Sequence, residues 1–166
     1  MSVDRNNDPE RTKNILGVND GPPVEIHVNP SQGMKEIRIG FTRSHDRRGL
    51  MLSDFVNDHN GDINKESNYN FSVLDEWVRI SLEVGANPII CFEYALDDPE
   101  KRVVADPHRW SQVARNVVLH SNGYFANNSE DDIGTFCPND VKYYQIWNEP
   151  EVEGFSSWTT DEYDSI

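Results

Sequence analysis

Apolar positions along this chain fall alternately into short runs and into stripes at helical spacing, and polar turn clusters separate them. The first run, Ile15 to Val18 within NILGVNDGPP, is closed by Asn19, Asp20, Gly21 and two prolines, residues that end a strand in a turn. In KEIRIGFTRSHD, Ile37, Ile39 and Phe41 alternate with Arg38, Gly40 and Thr42, a period of two that predicts a second strand. The segment between these runs carries NPSQG, which leaves room only for a brief helix. From Arg47 to Asn70 the chain reads as a long polar loop with a few apolar anchors. A loop of that length inside a compact domain is usually functional.

A helix follows. Ser72 and Asp75 stand at capping-box spacing, Val73, Trp77, Ile80 and Val84 recur on one face, and Gly85 ends the pattern. NPIICFEYA is continuously apolar but too short for a helix, as expected of a strand covered on both faces. Asp106 and Pro107 then mark a helix start. Trp110, Val113, Ala114, Val117 and Val118 form its stripe, and Gly123 follows its end. After a loop, VKYYQIW predicts a fourth strand, and Thr159 with Glu162 announces a further helix. Strands alternating with helices imply parallel pairing through right-handed crossovers, an α/β fold. Residues 1–13 read as a polar lead-in and 14–166 as one domain.

Composition narrows the classes of function. The 29 acidic residues against 15 lysines and arginines give a formal charge of -14, which argues against partners such as nucleic acid or an anionic membrane. An Asp-rich, Lys-poor chain suits high salt, where screening removes self-repulsion, so a halophilic source is a reasonable expectation. No apolar run is long enough to span a membrane, and no apolar leader stands at the N-terminus, so a cytoplasmic location is expected. Cys91 lies in an apolar run and reads as a small core residue, and Cys91 and Cys137 have no metal-ligand spacing. No cofactor or metal is expected.

In parallel α/β folds, ligands meet the carboxyl ends of the strands. Those positions here hold Asn19-Asp20, then Arg43-Ser44-His45-Asp46, then Glu93-Tyr94, and finally Asn148-Glu149. A carboxylate flanked by an amide and a proline at the mouth of a buried strand costs too much to be there for packing alone. His45 reads equally as a structural histidine and as a ligand contact. Arg38 rivals Arg43 as the site's arginine, and Glu93 is open between a core-edge carboxylate and a substrate contact.

Trp147-Asn148-Glu149-Pro150 resembles the acid/base motif of clan A glycoside hydrolases, which are TIM barrels. GVNDGPP, RSHD, YNFSVLDEWVRISLEVGANPI and YYQIWNEPEVEGFSSWTTDEY extend the likeness to the first half of family-39, β-xylosidase-like enzymes, from Ile15 to Ile166. The resemblance implies the N-terminal half of a (β/α)8 barrel acting on oligosaccharides or glycosides. It makes Glu149 the acid/base, poised in its protonated form beside the apolar wall of Trp147. It has Asn148 hydrogen-bond the sugar 2-hydroxyl, Arg43 bring positive charge beside the nucleophile, and His45 line the sugar subsite. Tyr94, Phe155 and Trp158 are candidate sugar platforms. In the family the nucleophilic Glu comes from the seventh strand, whereas the elements read here number four. A retaining enzyme needs two carboxyl groups about 5–5.5 Å apart. The chain is therefore expected to be a fragment, inactive alone, with open edges that favour self-association. The alternative is a non-catalytic carbohydrate-binding or interaction module derived from the barrel.

Overall fold

The computed structural model describes residues 16–22, 31–93, 95–96, 104, 106–123 and 141–148. Four short strands lie side by side in sequence order: β1 (Gly17–Asn19), β2 (Phe41–Arg43), β3 (Asn87–Phe92) and β4 (Tyr143–Ile146). Every pairing is parallel, with Asn19 opposite Arg43, Arg43 opposite Ile89, and Cys91 opposite Gln145. Helices α1 (Ser31–Glu36), α2 (Ser72–Glu83) and α3 (Pro107–Ser121) lie between consecutive strands. This is the α/β strand–helix succession expected from the sequence, the arrangement of half a TIM barrel.

Alternation along the strands separates an outer face that packs on the helices from an inner face. Ile90 and Phe92 of β3 point outward and join Leu74, Trp77 and Val78 of α2 and Trp110, Val113 and Val117 of α3 in the main core. Thr42 also points outward, where its hydroxyl donates to Ser81 of α2 at 3.0 Å. The inner face consequently carries Phe41, Arg43, Ile89, Cys91, Tyr143 and Gln145. Its lower part is aromatic, with Phe41 and Tyr143 edge-on at 5.6 Å between centroids. Its upper part, at the strands' carboxyl ends, is polar.

The ends of α2 show how local sequence sets the frame. Gly85 takes φ +83°, the left-handed conformation that lets the chain leave the helix and enter β3. Gly21, after β1, takes φ +61°, and a Cβ there would stand 2.8 Å from Trp77 Nε1. That close approach lets Trp77 donate its indole N–H to the Asp20 carbonyl at 2.9 Å, tying the exit of the first strand to the second helix.

Several expectations need correction. The period-two run from Ile37 is not one strand: Ile37 is 62% exposed, Ile39 is buried in a small cluster with Val84 and Ala86, and only Phe41–Arg43 pair. Arg38, at φ +56° in the turn after α1, breaks the extended backbone before the sheet begins. Ser72 does not cap α2. The Asn70 side chain accepts its N–H at 3.1 Å, while Asp75 reaches across to His120 of α3 at 2.6 Å. Within α2 the buried residues are Leu74, Trp77, Val78 and Ser81, so the predicted stripe is right at Trp77, right at Val84 just past the helix, and one residue off at Val73 and Ile80. The long loop contains two 3-10 turns, Leu52–Phe55 and Glu66–Asn68, and Leu50, Leu52, Phe55 and Ile63 anchor it in the core. Asp106 caps α3 as expected, accepting the Arg109 N–H at 2.9 Å.

Candidate functional site

Arg43 ends β2 on the inner face, and its guanidinium fans out over the neighbouring strands. Nε donates to Gln145 Oε1 of β4 at 2.8 Å, Nη2 to Asn148 Oδ1 at 2.7 Å, and Nη1 to Asn19 Oδ1 of β1 at 3.3 Å. The planar five-donor fork makes this possible, and a lysine would reach one of these acceptors at a time. One arginine thereby ties the carboxyl ends of β1, β2 and β4 together. The rivalry between arginines resolves on position: Arg43 stands on the inner face at the strand's carboxyl end, and Arg38 in the turn at its opposite end.

Asn148 reaches this position because the backbone departs from strand alternation just before it. Trp147 adopts φ +61°, a genuine outlier for a bulky residue and one that costs roughly 1–3 kcal/mol. Its N–H still donates to the Phe92 carbonyl at 2.8 Å. The turn sends the indole outward, where it is 3% exposed and packs near Trp110 with 6.4 Å between centroids. The following Asn148 is directed inward to Arg43. Trp147 is thus anchored in the outer core, and the strained turn delivers the amide to the site.

A second cluster adjoins the first. Glu93, directly after β3 and 4% exposed, lies 2.7 Å from His45 Nδ1 and accepts from the Cys91 thiol and from the Asp46 N–H at 3.3 Å. Arg43 Nη2 lies 4.0 Å from the same carboxylate. Asp46 sits at φ +53°, which curls the turn after β2 so that its N–H meets Glu93. Burial, reinforced by the neighbouring Glu93 charge, pushes the Cys91 thiol well above its ordinary range, so it donates as S–H. His45, Cys91 and Glu93 offer three ligand atoms within 4.8 Å of one another, close enough for a divalent ion. The chemistry of the set favours hydrogen bonding instead. The thiol is held protonated, and Arg43 Nη2 stands 3.9 Å from its sulfur, where a cation would be repelled.

The structure therefore brings together Arg43, His45 and Asn148 of the expected site, and Glu93 with them. Glu149, Tyr94, Phe155 and Trp158 lie outside the described residues. Gln145 and Cys91 escaped the sequence reading as site residues. Both stand two residues from another inner-face position, and that spacing was the available signal. A separate cavity of about 400 Å³ opens between the loop after β2 and α3, lined by His59, Asp106, Arg109 and Trp110 among others. Arg109 spans it, donating to the His59 and Gly61 carbonyls at 2.7 Å each.

No family model matches the chain, and no curated protein matches it. Among solved structures, a glucosidase from Croceicoccus marinus is similar in fold, with a TM-score of 0.66 at 18% identity. The likeness covers 90% of this chain but 31% of the glucosidase, so the chain spans about a third of that protein's length. At this identity the likeness establishes a shared architecture: four parallel strands alternating with helices, as in part of a glycosidase-like α/β fold.

Proposed function

We propose that this chain carries the acid/base side of a retaining glycoside hydrolase site acting on β-xyloside-like bonds, with Glu149 as the acid/base. The observation that carries the reading is the Arg43–Asn148 bond of 2.7 Å, which joins an arginine at the carboxyl end of β2 to an amide just past β4, across the intervening β3 and one residue before Glu149. With Oδ1 accepting from Arg43, Asn148 turns its NH2 donors away from the arginine, the orientation needed to hydrogen-bond a sugar hydroxyl. Such a contact strengthens as positive charge develops on the sugar ring. The fold shared with a glucosidase supports the same reading.

Glu149 donates its proton to the leaving-group oxygen as the glycosidic bond breaks, and the proton is restored when Glu149 acts as base toward water. The nucleophilic carboxylate is assigned to a strand beyond the four described here, contributed by further chain. On this account the 166-residue chain binds a xyloside but does not turn it over. Calorimetric titration with xylobiose, alongside release of nitrophenol from p-nitrophenyl β-xyloside, tests this. Saturable binding that Arg43→Met weakens at least tenfold is the expected result. An absence of binding, or binding indifferent to Arg43→Met, rejects the reading. Turnover abolished by Glu149→Gln would show that the second carboxylate is recruited across a self-associated pair.

A further inference from the structure

We infer that Glu93 is a positioning residue for His45: it fixes the imidazole with its proton on Nδ1 and leaves Nε2 as a hydrogen-bond acceptor at the strand ends. The inference follows from counting donors. Glu93 is 4% exposed, and its carboxylate meets hydrogen-bond donors in the Asp46 N–H on Oε2 and the Cys91 thiol on Oε1, with the Arg43 guanidinium 4.0 Å away and His45 Nδ1 in contact with Oε1. A carboxylate ringed by donors and a guanidinium only accepts. At 2.7 Å, His45 Nδ1 must then be the protonated nitrogen.

The consequence falls on the other side of the ring. The His45 side chain keeps 21% of its surface exposed, and Nε2 makes no hydrogen bond among the described residues. In the neutral ring Nε2 carries a lone pair, so it takes an O–H from a ligand hydroxyl rather than giving a proton to a ligand oxygen. Arg43 and the Asn148 amide beside it are donors, so the cluster offers both halves of the pattern that a polyol hydroxyl reads. A hydroxyl donates once and accepts from others. The ligand half of this inference rests on the glycoside reading above. The tautomer does not.

The test is spectroscopic and needs no turnover. Long-range ¹H–¹⁵N correlation of ring-labelled chain, at about pH 8.5 where an ordinary imidazole is neutral, reports which nitrogen of His45 bears the proton. The wild type is expected to show Nδ1–H. Glu93→Gln, whose amide oxygen accepts in the same place, retains it. Glu93→Leu, which has no acceptor, relaxes toward the Nε2–H form that dominates in a free histidine side chain. An Nε2–H ring in the wild type overturns the inference even if the leucine variant does not fold, and so does a ring unchanged by Glu93→Leu. Xylobiose added to the same samples separates the two levels. Failure of the wild type to bind counts against the glycoside reading alone, whereas binding that survives Glu93→Leu within twofold removes the positioning role.

Discussion

Arg43 and Asn148 are 105 residues apart in the chain, and a hydrogen bond of 2.7 Å joins them across the mouth of the sheet. The bond settles an orientation. Asn148 gives its oxygen to the arginine, so its NH2 points away from it. Arg43→Lys keeps the charge and loses the fork that also holds Gln145 and Asn19. Sugar affinity is expected to fall about tenfold in the lysine variant. Folding stability should fall by about 1–2 kcal/mol in urea titration, the cost of leaving part-buried polar groups unmatched.

Trp147 explains why that amide faces inward. Its strained backbone persists because the indole is buried in the outer core beside Trp110. Trp147→Ala removes the anchor and leaves a cavity, at a cost of about 3–5 kcal/mol. Trp147→Phe keeps most of the packing, and its cost in urea should be markedly smaller. If Trp147→Ala costs under about 1 kcal/mol, the indole is not what holds the turn.

Across the helical layer, Asp75 and His120 form a largely buried pair at 2.6 Å, with the imidazole stacked on Phe71 at 3.8 Å between centroids. Asp75→Ala strands a nitrogen of the His120 ring, whose side chain is 2% exposed, and an expected loss of about 1–3 kcal/mol follows. Replacing both partners together, as Asp75→Leu with His120→Phe, should recover much of that loss. A double variant no more stable than Asp75→Ala would show that the pair itself, and not the stranded nitrogen, carries the energy.

Cys91 predicts a pH dependence. Burial, chiefly, raises its thiol above the ordinary 9.0, so it stays protonated in the folded chain where the unfolded chain ionises. Its contribution is intact below the unfolded value and is lost progressively as the pH climbs past it. Urea midpoints should therefore decline from about pH 9 upward, and Cys91→Ala should flatten the first part of that decline. Tyr69, buried, and Tyr144, half-buried, are both also raised chiefly by desolvation and add to the slope at higher pH. Iodoacetamide at pH 8 should leave Cys91 unmodified in the folded chain. Rapid modification there would mean that the thiol is not held as described.

The legible parts of this molecule were those governed by nearest neighbours. Asp106 and Pro107 announced α3 and Gly85 ended α2 because caps depend on local backbone geometry. The apolar run NPIICF, expected to be a strand covered on both faces, is a strand whose outer face at Ile90 and Phe92 is buried while Ile89 on the inner face is half-buried. What was hidden depends on partners distant in sequence. Ile37 and Ile39 obey a strand's alternation, yet the turn at Arg38 puts one in solvent and the other in a cluster. Asp75 fits a cap by spacing and serves His120 instead. At the site, Arg43, His45 and Asn148 stood out by residue type at strand ends. Gln145 and Cys91 read as strand filler: spacing groups each with its neighbours on one face, and only the packing of Ile90 and Phe92 on the helices shows which face is the inner one.

The most direct test of the account is a residue-resolved ¹H–¹⁵N titration of the 166-residue chain with xylobiose. Saturable shifts are predicted at the Arg43 Nε–H, the Asn148 side-chain NH2 and the backbone of His45 and Asp46, with Arg43→Met abolishing them together. Saturable shifts confined to the cavity lined by His59, Asp106 and Arg109, or no saturable shift at any concentration up to that of a weak sugar complex, would contradict it.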